Sequence, residues 1–182
     1  NNDLGQVYFI KSSYDYGRLE KLTNGWRANI NGYSVVHGGA IHLIDLILWL
    51  TGDKVTEVFA YGNSLVTSDT KYSGNSLVSA VLKFKSGMVA NVIGNYASVT
   101  PHHHLLSIYG KNKTFEQSHL GSQYIDSRSP EKDFQVLTDL YPNVKKSGLI
   151  SSFLDAIVSE AEPIVSKQDV FDAMAVSLAI EE

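Results

Sequence analysis

The segment His37–Asp53, HGGAIHLIDLILWLTGD, decides the fold, because it is the longest apolar run of the chain and still carries titratable side chains. Its length and spacing predict a helix from Ile41 to Leu50 that ends at Thr51-Gly52, where glycine provides a C-terminal stop. At about 100° per residue, such a helix separates a polar face from an apolar one. The polar face carries His42, Asp45 and Trp49, and the apolar face carries Ile44, Ile47 and Leu48. A buried carboxylate or imidazole costs free energy unless it is paired, so we expect the polar face to contact polar partners or to border a ligand cavity.

The composition indicates a globular protein that could form one domain. The chain has 182 residues, of which 43% are hydrophobic and 19% charged, enough to bury a proper core. The net charge is −4, and the lysines and arginines are scattered, so we expect no nucleic-acid binding. Cysteine is absent, which excludes disulfides, thiolate metal sites and a cysteine nucleophile.

The chain termini and the hydropathy indicate a cytoplasmic location. No uninterrupted apolar run reaches the roughly 18 residues of a membrane span, so we expect no membrane association. The first residues, NNDLGQ, lack the basic and apolar pattern of a signal peptide. Because the sequence begins without methionine and ends abruptly at AIEE, we expect it to be part of a longer protein.

Alternating side chains predict β-strands in the first two thirds of the chain. The first run is QVYFIKSSYDYGR, and an irregular segment follows it at residues 19–36. Tight turns at Ser86-Gly87 and Lys111-Asn112 predict two hairpins. The further strand-like runs are VTEVFAYGNSL, SLVSAVLKFK, MVANVIGNYAS, LLSIYG and TFEQSHL.

Helical spacing returns in the last third of the chain. LISSFLDAIVSEA and SKQDVFDAMAVSLAIEE predict two helices, the second opened by Ser166 and Asp169 as a capping box. Strands followed by helices predict an α+β fold, a mostly antiparallel open sheet with helices packed on one face. We expect the other face to present Tyr14, Tyr16, Val92 and Tyr96 to a partner, since such an aromatic surface seldom stays in water.

Several common chemistries have no motif in this sequence. The glycines form neither G-x-G-x-x-G nor G-x-x-x-x-G-K-[ST], so we expect no cofactor-binding residues in the chain. No serine lies in G-x-S-x-G, which argues against an α/β-hydrolase.

The histidines raise a metal hypothesis. His102 and His104 would share one side of a strand, with His103 opposite, and His42 or His37 could supply a third ligand. No H-E-x-x-H motif is present, however, and a histidine run after Thr100-Pro101 is also typical of a polar loop end. We therefore expect no metal.

Five segments together resemble the C-terminal domain of the glucose-fructose oxidoreductase and inositol dehydrogenase (Gfo/Idh/MocA) family. They are DYGRLEKLTNGWR, GGAIHLIDLILWLTG, PHHHLLSIYGKNKTF, FLDAIVSEAEP and DVFDAMAVSLAIEE. The resemblance covers nearly all of the chain. It implies that residues 1–182 form a single C-terminal domain for substrate binding and oligomerisation. It also implies that an N-terminal Rossmann domain, outside this sequence, binds NAD or NADP and contributes a lysine.

The resemblance places a substrate-facing histidine at His42. Members commonly carry an aspartate four residues earlier, where this chain has Gly38 next to His37. His42 and His37 are therefore the candidate catalytic residues, because imidazole titrates near neutral pH and can take a hydroxyl proton. The alternative for His42 is a histidine that is simply satisfied within the core.

A sugar or nucleotide-sugar substrate needs hydroxyl, guanidinium and ring surfaces. The candidate substrate-binding residues are Tyr16, Arg18, Trp26, Arg27, His102 and His104. For Tyr16, packing within the sheet or an interface is the alternative.

Two classes of function remain. The first is the substrate-binding half of an NAD(P)-dependent oxidoreductase that acts on a sugar, a sugar derivative or a nucleotide-sugar, assembled as a homo-oligomer through the open sheet face. The second is a non-enzymatic oligomerisation or ligand-binding module, which the absence of a side chain at Gly38 favours.

Overall fold

A computed structural model describes residues 3–132, 134–138 and 147–182 of the chain. Its strands are β1 (Val7–Asp15), β2 (Val55–Asn63), β3 (Leu77–Phe84), β4 (Val89–Asn95), β5 (His103–Gly110), β6 (Thr114–Ser118), β7 (Gly121–Ile125) and β8 (Gln135–Leu137). Its α-helices are α1 (Leu19–Thr23), α2 (Ile41–Thr51), α3 (Ser147–Ser159) and α4 (Lys167–Glu181). A 3₁₀ turn covers Trp26–Asn29 and a π-helical turn covers Val36–Ala40. The predicted α+β class is confirmed.

The strands form one eight-stranded sheet in the order β2-β3-β4-β1-β5-β6-β7-β8. Neighbouring strands run antiparallel apart from β1 and β4, which are parallel with Ser12 opposite Val92. The predicted hairpins are present as β3–β4 and β5–β6. Strand β1 therefore lies between β2–β4 on one side and β5–β8 on the other. Short turns in the sequence indicate hairpins, but they do not indicate this central position of β1.

The aromatic residues expected on the open face lie instead beneath the helices, so that expectation is wrong. Tyr14, Tyr16, Val92 and Tyr96 are 7%, 6%, 2% and 1% exposed. Gly39 explains this burial, since a Cβ there would lie 2.8 Å from Tyr14 and 2.7 Å from the Tyr96 hydroxyl. The π-helical turn therefore packs directly on the rings. Alternation had grouped these side chains correctly, but it carries no information about which group the helices cover.

The other sheet face is open and mixes polar and apolar side chains. Phe59 pairs with Val81 across β2 and β3, and the row continues through Asn91 to Lys11. Phe59 is 62% exposed and its neighbour Tyr61 75%. Exposed aromatic surface on this face is thus concentrated on β2, at the edge of the sheet.

Helix α2 matches its predicted bounds and faces. It ends at Gly52, which has a left-handed φ of 60°. Leu43, Ile44 and Ile47 are buried, whereas His42 is exposed. The titratable side chains of α2, His42 and Asp45, therefore lie at the surface and cost the core nothing.

The two C-terminal helices differ in how they pack. Helix α4 begins at the predicted capping box, in which the Asp169 amide donates to Ser166 Oγ (3.2 Å), and it packs on α2 and β2. Helix α3 leaves most of its apolar side chains in solvent: Leu149, Ile150, Phe153, Leu154, Ile157 and Val158. None of the helices in the described ranges is long and apolar enough to cross a membrane.

Candidate functional site

A cluster of rings centred on Tyr14 brings three distant parts of the sequence together. The Tyr14 ring lies 4.7 Å from His104, 5.2 Å from His102 and 6.1 Å from His42, measured between ring centroids. Antiparallel pairing of β1 with β5 sets Tyr14 opposite His104, and α2 adds His42 from above the sheet. The predicted site residues His42, His102 and His104 thus share one surface.

The histidines of this cluster differ in their environment. His42 is exposed, whereas His102 and His104 are partly buried. Burial lowers the pKa of His104, and its neighbours His102 and His42 lower it further. Burial also lowers the pKa of His102, with Arg18 as the next cause. Both rings are therefore neutral at physiological pH, able to accept one hydrogen bond and donate another.

Three imidazole nitrogens are buried without a hydrogen-bond partner among the described residues. They are His37 Nε2, His102 Nδ1 and His104 Nε2. A buried polar atom without a partner costs free energy, so native structures seldom retain one without a reason. Two of the three belong to the ring cluster, so this cluster holds polar atoms for which the described residues supply no partner.

The predicted arginines lie at the edge of the cluster. The Arg18 guanidinium lies 5.5 Å from the centre of the Tyr16 ring. Arg27 stacks 4.5 Å above Trp26, and its Nε donates to the Tyr33 hydroxyl at 2.9 Å. Trp26 and Arg27 thus form a second group, built around Tyr33.

Tyr96 joins the two groups. It stacks 4.4 Å from Tyr16 and 5.9 Å from Tyr14, while burial first, and then a hydrogen bond with Tyr33, raise its pKa. Sequence reasoning missed Tyr33 altogether and assigned Tyr96 to the open face. The available signal was the pair Gly38-Gly39, because adjacent glycines indicate that something packs closely against the backbone.

The structure places His37 apart from the ring cluster. It lies in the π-helical turn, where its amide donates to Ser34 Oγ at 3.3 Å. Among the described residues, its ring makes no aromatic contact like those of His42. Its unpaired Nε2 keeps it a candidate, but the geometry favours His42.

The strand register sends His103 to the opposite face, as predicted. There His103 Nε2 lies 3.7 Å from Asp15 Oδ2, and its ring lies 5.4 Å from that of His119. Within the described ranges, no three histidine, aspartate or glutamate side chains converge as metal ligands would.

An open, mostly antiparallel sheet with helices on one face is the architecture of the C-terminal domains of dehydrogenases. The model of the GFO/IDH/MocA C-terminal domain family matches residues 1–116, and the chain belongs to this family. The resemblance seen in the sequence is thereby confirmed. No curated protein matches the chain at a significant level.

Several solved structures with the same fold are dehydrogenases. UDP-N-acetylglucosamine 3-dehydrogenase GnnA from Acidithiobacillus ferrooxidans is 18% identical with a TM-score of 0.75, over 97% of this chain and 53% of that one. Scyllo-inositol dehydrogenase from Lactobacillus casei, with bound NAD(H) and scyllo-inositol, is 17% identical with a TM-score of 0.70, over 99% and 55%. Levoglucosan dehydrogenase, in complex with NADH and levoglucosan, is 17% identical with a TM-score of 0.76, over 99% and 57%. The chain thus spans about half the length of these proteins, and at this identity the likeness establishes the fold.

The described residues do not fit a dinucleotide site. The glycine nearest to the required place is Gly17, which follows the parallel strand β1 and has a left-handed φ of 58°. A Cβ on Gly17 would lie only 1.8 Å from the Thr100 carbonyl oxygen, so a hydrogen-bond acceptor, and not a phosphate-binding donor, faces this glycine. The helix after it, α1, has five residues and cannot act as a phosphate-binding helix of the usual kind.

Proposed function

We propose that this chain is the substrate-binding half of an NAD(P)-dependent oxidoreductase that acts on a CH–OH group of a sugar, sugar derivative or nucleotide-sugar. The observation that carries the proposal is the convergence of His42, His102 and His104 around Tyr14, on the surface of a domain of this family. Residues 1–182 would be a single C-terminal domain. A Rossmann domain outside this sequence would hold NAD or NADP, whose nicotinamide exchanges the hydride.

His42 is assigned the proton transfer. Its ring is exposed at the start of α2, so a substrate hydroxyl can reach it. As the alcohol carbon is oxidised to a ketone, the imidazole accepts the hydroxyl proton, and it returns the proton when the reaction runs in reverse. An exposed imidazole beside other titratable groups suits this role better than that of a core histidine.

The remaining polar groups are assigned to substrate binding. Neutral His102 and His104 are partly buried at the ring cluster and can exchange hydrogen bonds with sugar hydroxyls. Arg18 and Arg27 carry positive charge, and exposed Trp26 offers a ring face against which a sugar can stack. Tyr16 is 6% exposed, so its contribution is to support Arg18 and the ring stack rather than to present a large surface.

Exposed apolar surface supports the two proposed protein partners. The apolar side chains of α3 lie in solvent, as do Val170 and Phe171 of α4, and such exposed apolar side chains suit coverage by the Rossmann domain. On the open sheet face, Phe59 and Tyr61 suit contact with a second copy in a homo-oligomer. The two surfaces lie on different elements of the fold.

The test of this function is turnover by the full-length protein. It is incubated with NAD or NADP and with UDP-N-acetylglucosamine, myo-inositol, scyllo-inositol or levoglucosan, and the reduced nicotinamide is followed by absorbance. Reduction with at least one substrate, lost in the His42→Asn variant, supports the proposal.

One observation favours the second class, a non-enzymatic module. Gly38 places no side chain near His42. Absence of turnover with all substrates and both cofactors, in a folded and oligomeric protein, would establish that alternative.

A further inference from the structure

The space above Gly38 is filled by a side chain from elsewhere in the chain. A Cβ at this position would lie 2.1 Å from the Tyr33 hydroxyl oxygen, 2.7 Å from Tyr33 Cζ and 3.2 Å from the Tyr96 hydroxyl. The backbone φ of Gly38 is not among the left-handed values, so its conformation does not require glycine. The residue is glycine because the Tyr33 phenol needs the room.

Tyr33 is held in this place from several sides. Arg27 Nε donates to its hydroxyl oxygen at 2.9 Å, and the Trp26 ring meets its ring edge-on at 6.0 Å. The Tyr72 hydroxyl fixes the backbone by donating to the Tyr33 carbonyl at 3.0 Å. Burial raises the pKa of Tyr72 to about 12, so this donor keeps its proton at all physiological pH values. A phenol held in this way is set in one position before any ligand arrives.

The hydrogen bonds of the Tyr33 hydroxyl leave its own proton free. Its oxygen accepts from Arg27 Nε at 2.9 Å. Among the hydrogen bonds of the described residues, no acceptor receives the Tyr33 proton. A phenol can donate as well as accept, so an acceptor is missing on this side.

Gly38 also places this hydroxyl close to His42. Residues four apart on a helix have their Cβ atoms about 5–6 Å apart on one face. Gly38 and His42 are four apart across the π-helical turn and the start of α2, and the phenol oxygen lies 2.1 Å from the position that a Cβ at residue 38 would take. Tyr33 and His42 can therefore reach the same substrate atom.

We propose that Tyr33 is a further substrate-binding residue, whose hydroxyl donates a hydrogen bond to the substrate oxygen at which His42 exchanges the proton. Arg27 acts through it as a positioning residue. Tyr33 keeps its proton throughout, so the proton balance remains between the substrate hydroxyl and His42. This inference rests on the proposed oxidoreductase function. In it, the Tyr33 hydroxyl is the polar group that takes the place of the side chain that Gly38 lacks.

The first test is Tyr33→Phe in the full-length protein, assayed with the sugar that the wild-type protein turns over. Removal of this hydroxyl is expected to lower kcat/KM by about 10- to 100-fold, which is about 1.4–2.8 kcal/mol. The melting temperature should remain close to wild type, because the ring is kept. Tyr8→Phe removes an equally phenolic but exposed hydroxyl elsewhere and serves as the matched control.

The second test needs no activity and uses thermal unfolding of the 182-residue chain. Gly38→Ala should lower the midpoint in the wild-type background, because the new Cβ meets Tyr33. In a Tyr33→Ala background the same change should leave the midpoint of thermal unfolding unchanged or raise it, since alanine has a higher helix propensity than glycine. Such a reversal of sign is expected only if Tyr33 occupies the space.

The outcomes separate the two proposals. Wild-type turnover together with an unaffected Tyr33→Phe variant overturns the role of Tyr33 and leaves the oxidoreductase assignment standing. Equal effects of Gly38→Ala in both backgrounds overturn the packing on which the role rests. Absence of turnover in the wild-type protein overturns the oxidoreductase function, and the role of Tyr33 falls with it.

Discussion

The two faces of the sheet carry neighbouring histidines in different environments. His102 and His104 point to the covered face, where burial lowers their pKa values and each has a ring nitrogen without a partner. His103, between them in sequence, points to the open face and lies 3.7 Å from the Asp15 carboxylate. On the covered face the strands thus hold polar atoms without partners, whereas the open face has a histidine–carboxylate contact and exposed rings. Chemistry is therefore expected on the first face and association on the second.

The largest expected effect is that of His42→Asn on turnover of the full-length protein. The variant should keep the fold and lower kcat by roughly 10²- to 10⁴-fold, the range for a lost general acid or base. Steady-state kinetics and a thermal melt on the same preparation measure both quantities. Asp45→Asn, one turn further along the exposed side of α2, is the matched control. A destabilised His42→Asn variant with normal turnover would assign His42 to structure, and His37→Asn should then be assayed.

The next effect concerns the packing that covers the first face. Gly39→Ala places a Cβ 2.7 Å from the Tyr96 hydroxyl and 2.8 Å from the Tyr14 ring. Overpacking of this kind costs about 1–3 kcal/mol, which denaturant unfolding measures. Gly148→Ala in α3 meets no atom within 4 Å and should be neutral or mildly stabilising. Equal stabilities of the two variants would show that the π-helical turn does not rest on the rings.

Association through the open face gives a smaller effect. Replacement of Phe59 and Tyr61 by serine removes two exposed rings at the edge of the sheet. We expect self-association to weaken about 10-fold or more, since each tenfold change needs only about 1.4 kcal/mol. Light scattering over a concentration series measures this, with Val99→Ser, fully exposed in a loop, as control. A strictly monomeric wild-type chain at high concentration would contradict the assignment of this face.

The smallest effect is a pH dependence of stability due to the covered histidines. The pKa of His104 is lowered from 6.5 by burial, so the folded chain binds fewer protons than the unfolded chain. The contribution of His104 to the free energy of unfolding is therefore fully present above the pKa that histidine has in the unfolded chain. This contribution falls as the pH drops through about 6.5. Denaturant unfolding at several pH values between 7.5 and 5 measures the slope, which His104→Gln should reduce.

Carboxylates act in a separate pH range. The hydrogen bond with Ser86 lowers the pKa of Asp53 from 3.8, so its contribution is lost only as pH falls below that value. If His104→Gln leaves the slope between pH 7.5 and 5 unchanged, the loss of stability does not arise from this histidine.

The sequence was sufficient to predict the elements but not which face of the sheet is covered. The bounds of α2, the capping box of α4 and both hairpins depend on local signals, namely spacing, caps and turn residues. Strands β7 and β8 were not predicted, because they are short and carry no strong alternation. The choice of face depends on contacts between residues about 80 apart, such as Ser12 with Val92, which local patterns do not encode.

The site was predicted only in part for the same reason. His42 was found from the family pattern, and the grouping of His102 with His104 from strand alternation. Tyr33 was missed because it lies in an irregular segment and reaches its position through packing on Gly38. Neither Tyr33 nor Gly38 alone indicates this packing, because it is a steric relation between the two residues.

The central position of β1 has a consequence for the order of folding. This strand is synthesised before the other strands of the sheet, yet both of its neighbours, β4 and β5, are separated from it by more than seventy residues. Loops of that length close slowly, whereas the hairpins β3–β4 and β5–β6 can form locally. During synthesis both edges of β1 therefore remain unpaired until β4 and β5 have been made, and we expect β1 to join the sheet last. The rate-limiting step of folding would then be the insertion of β1, and Tyr14, at the centre of the site, would acquire its neighbours in that step.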